Sequence, residues 1–485
     1  MKSLPLLGIL ILLVSCGTNQ PSDPYSKNFT NQTLRIDYFH SGDAETEEVK
    51  IDELIRSEGW AGSKVNLVDS LDYGAYYHMV YDAESGELIY SRGFDSYFKE
   101  YQVSTPALEG NVKEFHESAL VPFPKNKIIF ALDKRQDSGE MKEVFRTEID
   151  PNSASEFSID PSVQVISSLD NGDPAVKADI AIIGEGYSAE EEEKFKADLQ
   201  RFTEIFFRAE PCKSHKEEFN IRGVYKASED SGIDEPRAGI DKNTVVNATF
   251  NSMGSERYIL TEDNKSLRNV AGHAPYDALY IMINSSRYGG GGIYNFYCTY
   301  TSDNINSAYL MVHEFGHSFF GLADEYYTSS TAYNDFYTPE NEPSEPNITA
   351  LKDPENVKWK MLLSEGISLP TPWKKKTFDS TDLVWQAKRA KLNDRIAELQ
   401  LNGQEEEAQA AKQEYDRLSL RRDSLVQAYL EGSVYAGEVG AFEGAGYKAT
   451  GLYRPSINCI MFTRTDYFCP VCQHAMIEII DTYSE

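Results

Sequence analysis

The chain has 485 residues, with 47 Lys and Arg against 77 Asp and Glu, for a formal net charge of -30. That length exceeds one ordinary core and predicts two domains of unequal size. With 41% hydrophobic and 12% aromatic residues the chain is a globular protein, and its acidity argues against a nucleic-acid partner, because phosphate binding needs Lys and Arg concentrated on one face.

Lys2 precedes an apolar run over residues 4–14, too short to span a membrane as a stable helix but of signal-peptide length. The run ends Leu13-Val14-Ser15-Cys16, which resembles a bacterial lipobox, in which the Cys is diacylated and becomes the mature N-terminus. The expectation is a lipoprotein signal peptide over residues 1–16 and an exported lipoprotein of the cell envelope, facing the periplasm or the cell surface. It would meet the membrane through the lipid on Cys16 only. Residues 17–30 are polar and rich in Ser, Pro and Asn, and read as a tether. The acidity then serves to keep an extracytoplasmic protein soluble.

Residues 31–165 alternate short apolar runs with turn residues. Segments 75–82 and 87–90 flank Glu84-Ser85-Gly86, and 127–132 and 144–149 flank Asp137-Ser138-Gly139, so two β-hairpins are predicted inside an all-β sandwich. The character changes at residue 170, where the second domain begins. A strand over 178–183 is followed by the capping box Ser188-Ala189-Glu190-Glu191, which opens a helix to about residue 208. Further strands are predicted over 219–226, 278–283 and 293–301, the last after four consecutive glycines at 289–292. A helix follows from near Asn306. Strand, helix, strands, helix spells an α/β layer. Within residues 381–430, Leu392, Ile396 and Leu399, then Tyr415, Leu418 and Leu425, recur at helical spacing on either side of Asn402-Gly403 and predict an inserted helical hairpin. The predicted fold class is α+β, an all-β sandwich followed by an α/β domain spanning 170–485.

Five cysteines lie beyond Cys16: Cys212, Cys298, Cys459, Cys469 and Cys472. An odd number in an oxidising compartment leaves one thiol over. Cys469-Pro470-Val471-Cys472 is either a redox pair or half of a zinc site, and the favoured expectation is a structural disulfide between Cys459 and one of that pair. No second pair of thiolates is evident in the sequence to complete a tetrahedron.

The stretch HEFGHSFFGLADEY carries the chemistry. His313 and His317 stand four apart, so a helix presents both imidazoles to a single ion, and neutral imidazole suits zinc. Glu314 lies one residue round the helix, able to touch water beside the ion without ligating it. Gly321 is free to take positive φ and reverse the chain, which swings Asp324 back as an oxygen ligand. Glu325 competes for that place; with Tyr326 it otherwise helps to orient the imidazoles. His273 and His474 have no partner at ligand spacing and read as structural.

This run resembles the extended zinc motif of the metzincin metallopeptidases, with Asp for the usual third His and one extra residue before the glycine. Both departures match the bacterial family named for immunoglobulin A peptidases, whose motif has this spacing and a GLADEY-like ending. Ser456-Ile457-Asn458-Cys459-Ile460-Met461 is similar to the metzincin Met-turn, which places Met461 under the metal. Phe442-Glu443-Gly444-Ala445-Gly446-Tyr447, Tyr453-Arg454-Pro455 and Phe468 to Cys472 are also similar to that family, which the chain resembles from about residue 177 onward. The resemblance implies a metzincin-like zinc peptidase domain holding one catalytic Zn2+ on His313, His317 and Asp324. It also implies attack by metal-activated water with Glu314 as general base. Tyr447 and Tyr467, on either side of the Met-turn, are candidates to support the developing oxyanion, although most of thirty tyrosines must simply pack. The strand predicted over 293–301 would pair with an extended substrate. The expected substrate is an extracytoplasmic protein or peptide, with immunoglobulin or another host glycoprotein as candidates. The competing reading is a degenerate, non-catalytic lipoprotein that binds host glycoprotein or glycan, and a zinc hydrolase of a non-peptide amide is a third.

Overall fold

A computed structural model of the chain describes residues 23–328 and 336–484. The signal-peptide reading and Cys16 lie outside them. Helix α1 (Pro24–Asn28) opens the described chain, capped by the Asp23 side chain, which accepts from the Tyr25 and Ser26 amides. Tyr25 is buried in the N-terminal core. Of the tether expected over 17–30, residues 17–22 also lie outside the described residues, and the expectation is corrected for 23–30: a capping Asp, a Pro in the first turn and an aromatic anchor order that segment.

The N-terminal strands are β1 (Phe29–Gly42), β2 (Glu47–Glu58), β3 (Tyr76–Asp82), β4 (Leu88–Phe94), β5 (Lys113–Pro124), β6 (Ile128–Arg135), β7 (Met141–Ile149) and β8 (Ser155–Glu156), with α2 (Tyr97–Gln102) and α3 (Thr105–Leu108) after β4. They form two four-stranded sheets, ordered β5-β1-β2-β8 and β4-β3-β6-β7. Every pairing is antiparallel except that of β8 with β2. Ile36 and Val121 from one sheet and Val80 and Phe130 from the other are fully buried in a shared core. Alternation along each strand puts these side chains on inner faces.

The second region contains β9 (Gln164–Leu169), β10 (Ala178–Glu185), α4 (Glu192–Phe206), β11 (Phe219–Tyr225), α5 (Asn264–Ala271), β12 (Ala278–Ile283), β13 (Gly290–Ile293), β14 (Tyr297–Thr301) and α6 (Ser307–Ser318). Their sheet is ordered β13-β14-β12-β10-β11-β9, parallel through its centre, with antiparallel strands at both edges. Ile180 and Ile182 of β10 pack with Phe195 of α4 and Phe315 of α6, while Ala181 and Ile183 face Leu267 of α5 on the opposite side. Burial on both faces explains why β10 and β12 read as unbroken apolar runs. Phe98 of α2 and Phe115 of β5 belong to the same cluster as Leu267, so the β-rich region and the sheet share a core.

One predicted strand needs correction. Residues 293–301 are not a single strand: the chain turns after Ile293, and the glycine run itself supplies the edge strand β13. Glycines have no side chains to show strand alternation, so the sequence pattern concealed them. The chain then folds back on itself in two long helices, α7 (Lys375–Leu401) and α8 (Glu405–Glu431), the first starting six residues before the expected boundary at 381. Arg422 pairs with Asp382 across them, and Arg237 ties α7 to the main body through Asp394. A ribbon of β15 (Val439–Ala445) and β16 (Lys448–Ser456) and a last helix, α9 (Pro470–Ser484), complete the fold. No helix among the described residues is long and apolar enough to cross a membrane.

Candidate metal centre

Helix α6 is buried around most of its circumference, with Leu310 and Phe315 each 1% exposed. Each such side chain contributes roughly 1.5–3 kcal/mol, so the helix is anchored by packing while its ligand face stays inside the structure. Gly316 sits against Met461: a Cβ there would approach the Met461 sulfur to 2.8 Å. The fully buried Met461 therefore lies directly beneath the turn bearing the histidines.

The helix ends as the glycine requires. Gly321 has φ +59°, and its amide donates to the His317 carbonyl at 3.1 Å. The following segment is pinned on both sides. The Asn347 side chain receives the Ala323 amide and donates to the Ala323 carbonyl, at 2.8 and 2.9 Å, while the Glu325 amide donates to Met461 O at 2.9 Å and the Gly446 amide to Asp324 O at 2.9 Å. Successive side chains of an extended segment point opposite ways. Asp324 consequently faces the histidines and Glu325 faces away.

The three groups converge. His313 Nε2 and His317 Nε2 are 3.2 Å apart, and Asp324 Oδ1 is 3.2 Å from each. The opposite ring nitrogens are occupied, His313 Nδ1 lying 3.0 Å from the Ile460 carbonyl and His317 Nδ1 2.6 Å from the Leu322 carbonyl. Those carbonyls can only accept, so each ring donates outward from Nδ1 and turns its Nε2 inward. Among the described residues Asp324 Oδ1 is buried without a hydrogen bond, while Oδ2 accepts from the Tyr447 hydroxyl at 2.6 Å. Ligand atoms about 2.0–2.1 Å from a tetrahedral zinc would lie about 3.3 Å apart. The donor set and its orphaned oxygen fit such an ion. Burial disfavours charge on His317, yet the Asp324 carboxylate outweighs it and pushes the imidazole up to about 9. Burial would also raise Asp324, but His317 holds it well below the usual carboxylate range.

Glu314 is 9% exposed and lines the same cleft. Desolvation pushes its carboxyl up, against the opposing pull of the two histidines. Strand β13 runs over it. A Cβ on Gly290 would lie 3.0 Å from Glu314 Oε1, and one on Gly292 would lie 2.5 Å from the Glu314 carbonyl oxygen. Only glycine lets this edge strand press so closely on α6. Part of its outer edge is covered, since Gly290 donates to Arg257 O at 3.1 Å and its carbonyl accepts from the Ile259 amide at 3.2 Å. Gly289 bonds inward to Thr301, and alternation turns the Gly292 amide and carbonyl outward, into the cleft.

The two tyrosines named from the sequence part company. Tyr447 lines the cleft and holds Asp324. Tyr467 is 40% exposed and does not line it; its carbonyl accepts from the Ile460 amide. Oxyanion support from Tyr467 is thus corrected, because the turn after Met461 carries its ring outward. Other cleft residues had no sequence signal. Arg257 lies with its guanidinium 5.8 Å over the Tyr326 ring and 3.5 Å from the Tyr326 hydroxyl. The β-rich region supplies Asp95, Ser96, Lys99 and Glu100 as a wall, with Glu100 accepting from the Tyr258 hydroxyl at 2.7 Å. His273 accepts from the Asp160 amide and stays structural. The disulfide expected at Cys459 is not formed, all five described cysteines being free.

The family model described as IgA Peptidase M64 matches residues 166–480, and that described as Peptidase M64 N-terminus matches residues 24–146. No curated protein matches the chain.

Proposed function

From its membership of the IgA peptidase M64 family the chain is a peptidase, and we propose that it is a zinc-dependent endopeptidase acting on extracytoplasmic proteins through His313, His317, Asp324 and Glu314. One observation carries the reading: two inward imidazole nitrogens and an orphaned carboxylate oxygen stand 3.2 Å from one another beside a buried glutamate. Zinc bound there would supply Lewis acidity, acidifying water and polarising the scissile carbonyl. Glu314, its carboxyl raised by burial, accepts the proton of the attacking water and returns it to the leaving amine. Tyr447 fixes the orientation of Asp324 through its 2.6 Å bond. Arg257, which lines the cleft, offers positive charge to a developing oxyanion.

An extended substrate would add to β13 at the outward amide and carbonyl of Gly292, so the cleft reads backbone first. The antiparallel edge strand above a buried zinc helix, with Met461 below it, supports a metzincin-like catalytic region in which α7 and α8 are an insertion. Export as a lipoprotein through Cys16 is part of the proposal, as are immunoglobulin or another host glycoprotein as candidate substrates. The test is hydrolysis of casein and of immunoglobulin by the zinc-loaded protein, with and without chelator, alongside Glu314→Ala. Cleavage should stop with chelator and fall about 10²–10⁴-fold in the variant. Chelator-insensitive cleavage, or a variant as active as the parent, overturns the mechanism; no cleavage at all would favour the binding lipoprotein.

A further inference from the structure

Behind the first centre lies a second convergence of donors. Glu325, the neighbour of Asp324, points away from the histidines into a pocket formed by Cys459, Cys469 and Cys472, and none of the four is more than 1% exposed. One ligand atom from each lies within 4.8 Å of the others. Cys459 Sγ and Cys472 Sγ are 3.7 Å apart, and Cys472 Sγ is 3.4 Å from Glu325 Oε1. A disulfide bond spans about 2.05 Å. Around a tetrahedral zinc, with Zn–S about 2.3 Å and Zn–O about 2.0 Å, two sulfurs would stand about 3.8 Å apart and a sulfur and an oxygen about 3.5 Å.

A further observation points to a cation. Among the described residues Glu325 Oε2 is buried with no hydrogen-bond partner, while Oε1 receives the Asn347 side-chain amide, at 3.1 Å, and the Cys472 thiol. A buried carboxylate so poorly satisfied among three thiols is costly unless something positive binds it. We propose that Glu325, Cys459, Cys469 and Cys472 hold a second, structural zinc ion.

The surroundings suit thiolates. The Cys469 amide donates to Cys459 Sγ at 3.3 Å and the Cys472 amide to Cys469 Sγ at 3.5 Å. Both residues sit at the N-terminus of α9, where the helix dipole favours negative charge. On binding, the three thiols release three protons to solvent, and the ion with three thiolates and one carboxylate carries two net negative charges. The fully buried Arg454, which acts electrostatically on both Glu325 and Cys459, offsets part of that charge. Soft sulfur donors select zinc over magnesium or calcium.

This ion would join three segments: the extended stretch carrying Asp324, the turn carrying Met461, and α9. Its role is to position the first centre, since Asp324 and Glu325 are adjacent and the Glu325 amide already binds Met461 O. The proposal does not depend on the peptidase mechanism.

The test counts zinc per full chain by elemental analysis in the parent, in His313→Ala/His317→Ala, and in that variant with Cys469→Ser/Cys472→Ser added. Two, one and zero are expected. Cobalt loaded into the histidine variant should show thiolate-to-metal charge transfer in the near ultraviolet. Because the cysteine changes can unfold the protein, the unreduced parent is also unfolded in chelator, alkylated and peptide-mapped. Cys459, Cys469 and Cys472 should all be alkylated. A Cys459 bridge to Cys469 or Cys472, or a histidine variant that holds no zinc, overturns the proposal.

Discussion

Gly292→Ala tests the seating of β13 on α6. The added Cβ would fall 2.5 Å from the Glu314 carbonyl oxygen and 3.0 Å from His317 Cβ. Reaching the 3.4 Å of ordinary contact requires the strand or helix to move by 3.4 - 2.5, or about 0.9 Å. The obstructing atom is backbone, so no side-chain rotation relieves it. Overpacking of this kind costs about 1–3 kcal/mol, and a displacement near 1 Å at reacting groups costs about 10²-fold in rate. Initial rates on casein at saturating zinc, beside a thermal melt, should show both losses. A variant with parental rate and melting temperature would refute the seating of β13 on α6 and with it the substrate path.

Three further outcomes are expected. Tyr447→Phe removes the 2.6 Å bond to Asp324 Oδ2 and should weaken zinc binding about 10–100-fold in chelator competition, with little change in melting temperature when zinc is saturating. Glu314→Gln should keep the metal content of the parent in elemental analysis while losing most of its hydrolytic rate, because Glu314 is not one of the three converging ligands. His40 sets a pH dependence in the β-rich region. Burial would lower its pKa, but Glu117 at 3.1 Å and Glu47 at 2.8 Å push it up to about 9. The folded value lies above the ordinary 6.5, so its stabilisation is complete below about pH 6.5 and is lost as pH rises through about 9. A shift of that size corresponds to roughly 3 kcal/mol. The parent's melting temperature should therefore fall more steeply over that window than that of His40→Gln, and parallel profiles would refute the assignment.

How much of this was legible depended on which signal each residue carries. A repeat of four along α6 and one glycine after it were sufficient to bring His313, His317 and Asp324 into consideration together, because helix geometry and a left-handed residue act locally. The turn chemistry around residues 84–86 and 137–139 likewise marked hairpins between β3 and β4 and between β6 and β7. Asp324 was favoured over Glu325 only as the first acidic group past the turn; what decides between them is the extended backbone held by Asn347, Met461 and Gly446, which the sequence does not display. β13 was missed because a run of glycines has neither alternation nor apolar character. Arg257 and the wall from α2 reach the cleft only through the tertiary fold. The cysteines misled for a related reason: counting sulfurs in pairs leaves no place for a carboxylate as the fourth donor, and Glu325 is distant in sequence from all three.

Anomalous diffraction at the zinc edge from crystals of the zinc-loaded protein would locate the ion itself. A peak is expected about 2.0–2.2 Å from His313 Nε2, His317 Nε2 and an Asp324 carboxylate oxygen, with the Glu314 carboxylate beside it but not bound. No anomalous signal among those three side chains would rule out a zinc ion held by His313, His317 and Asp324.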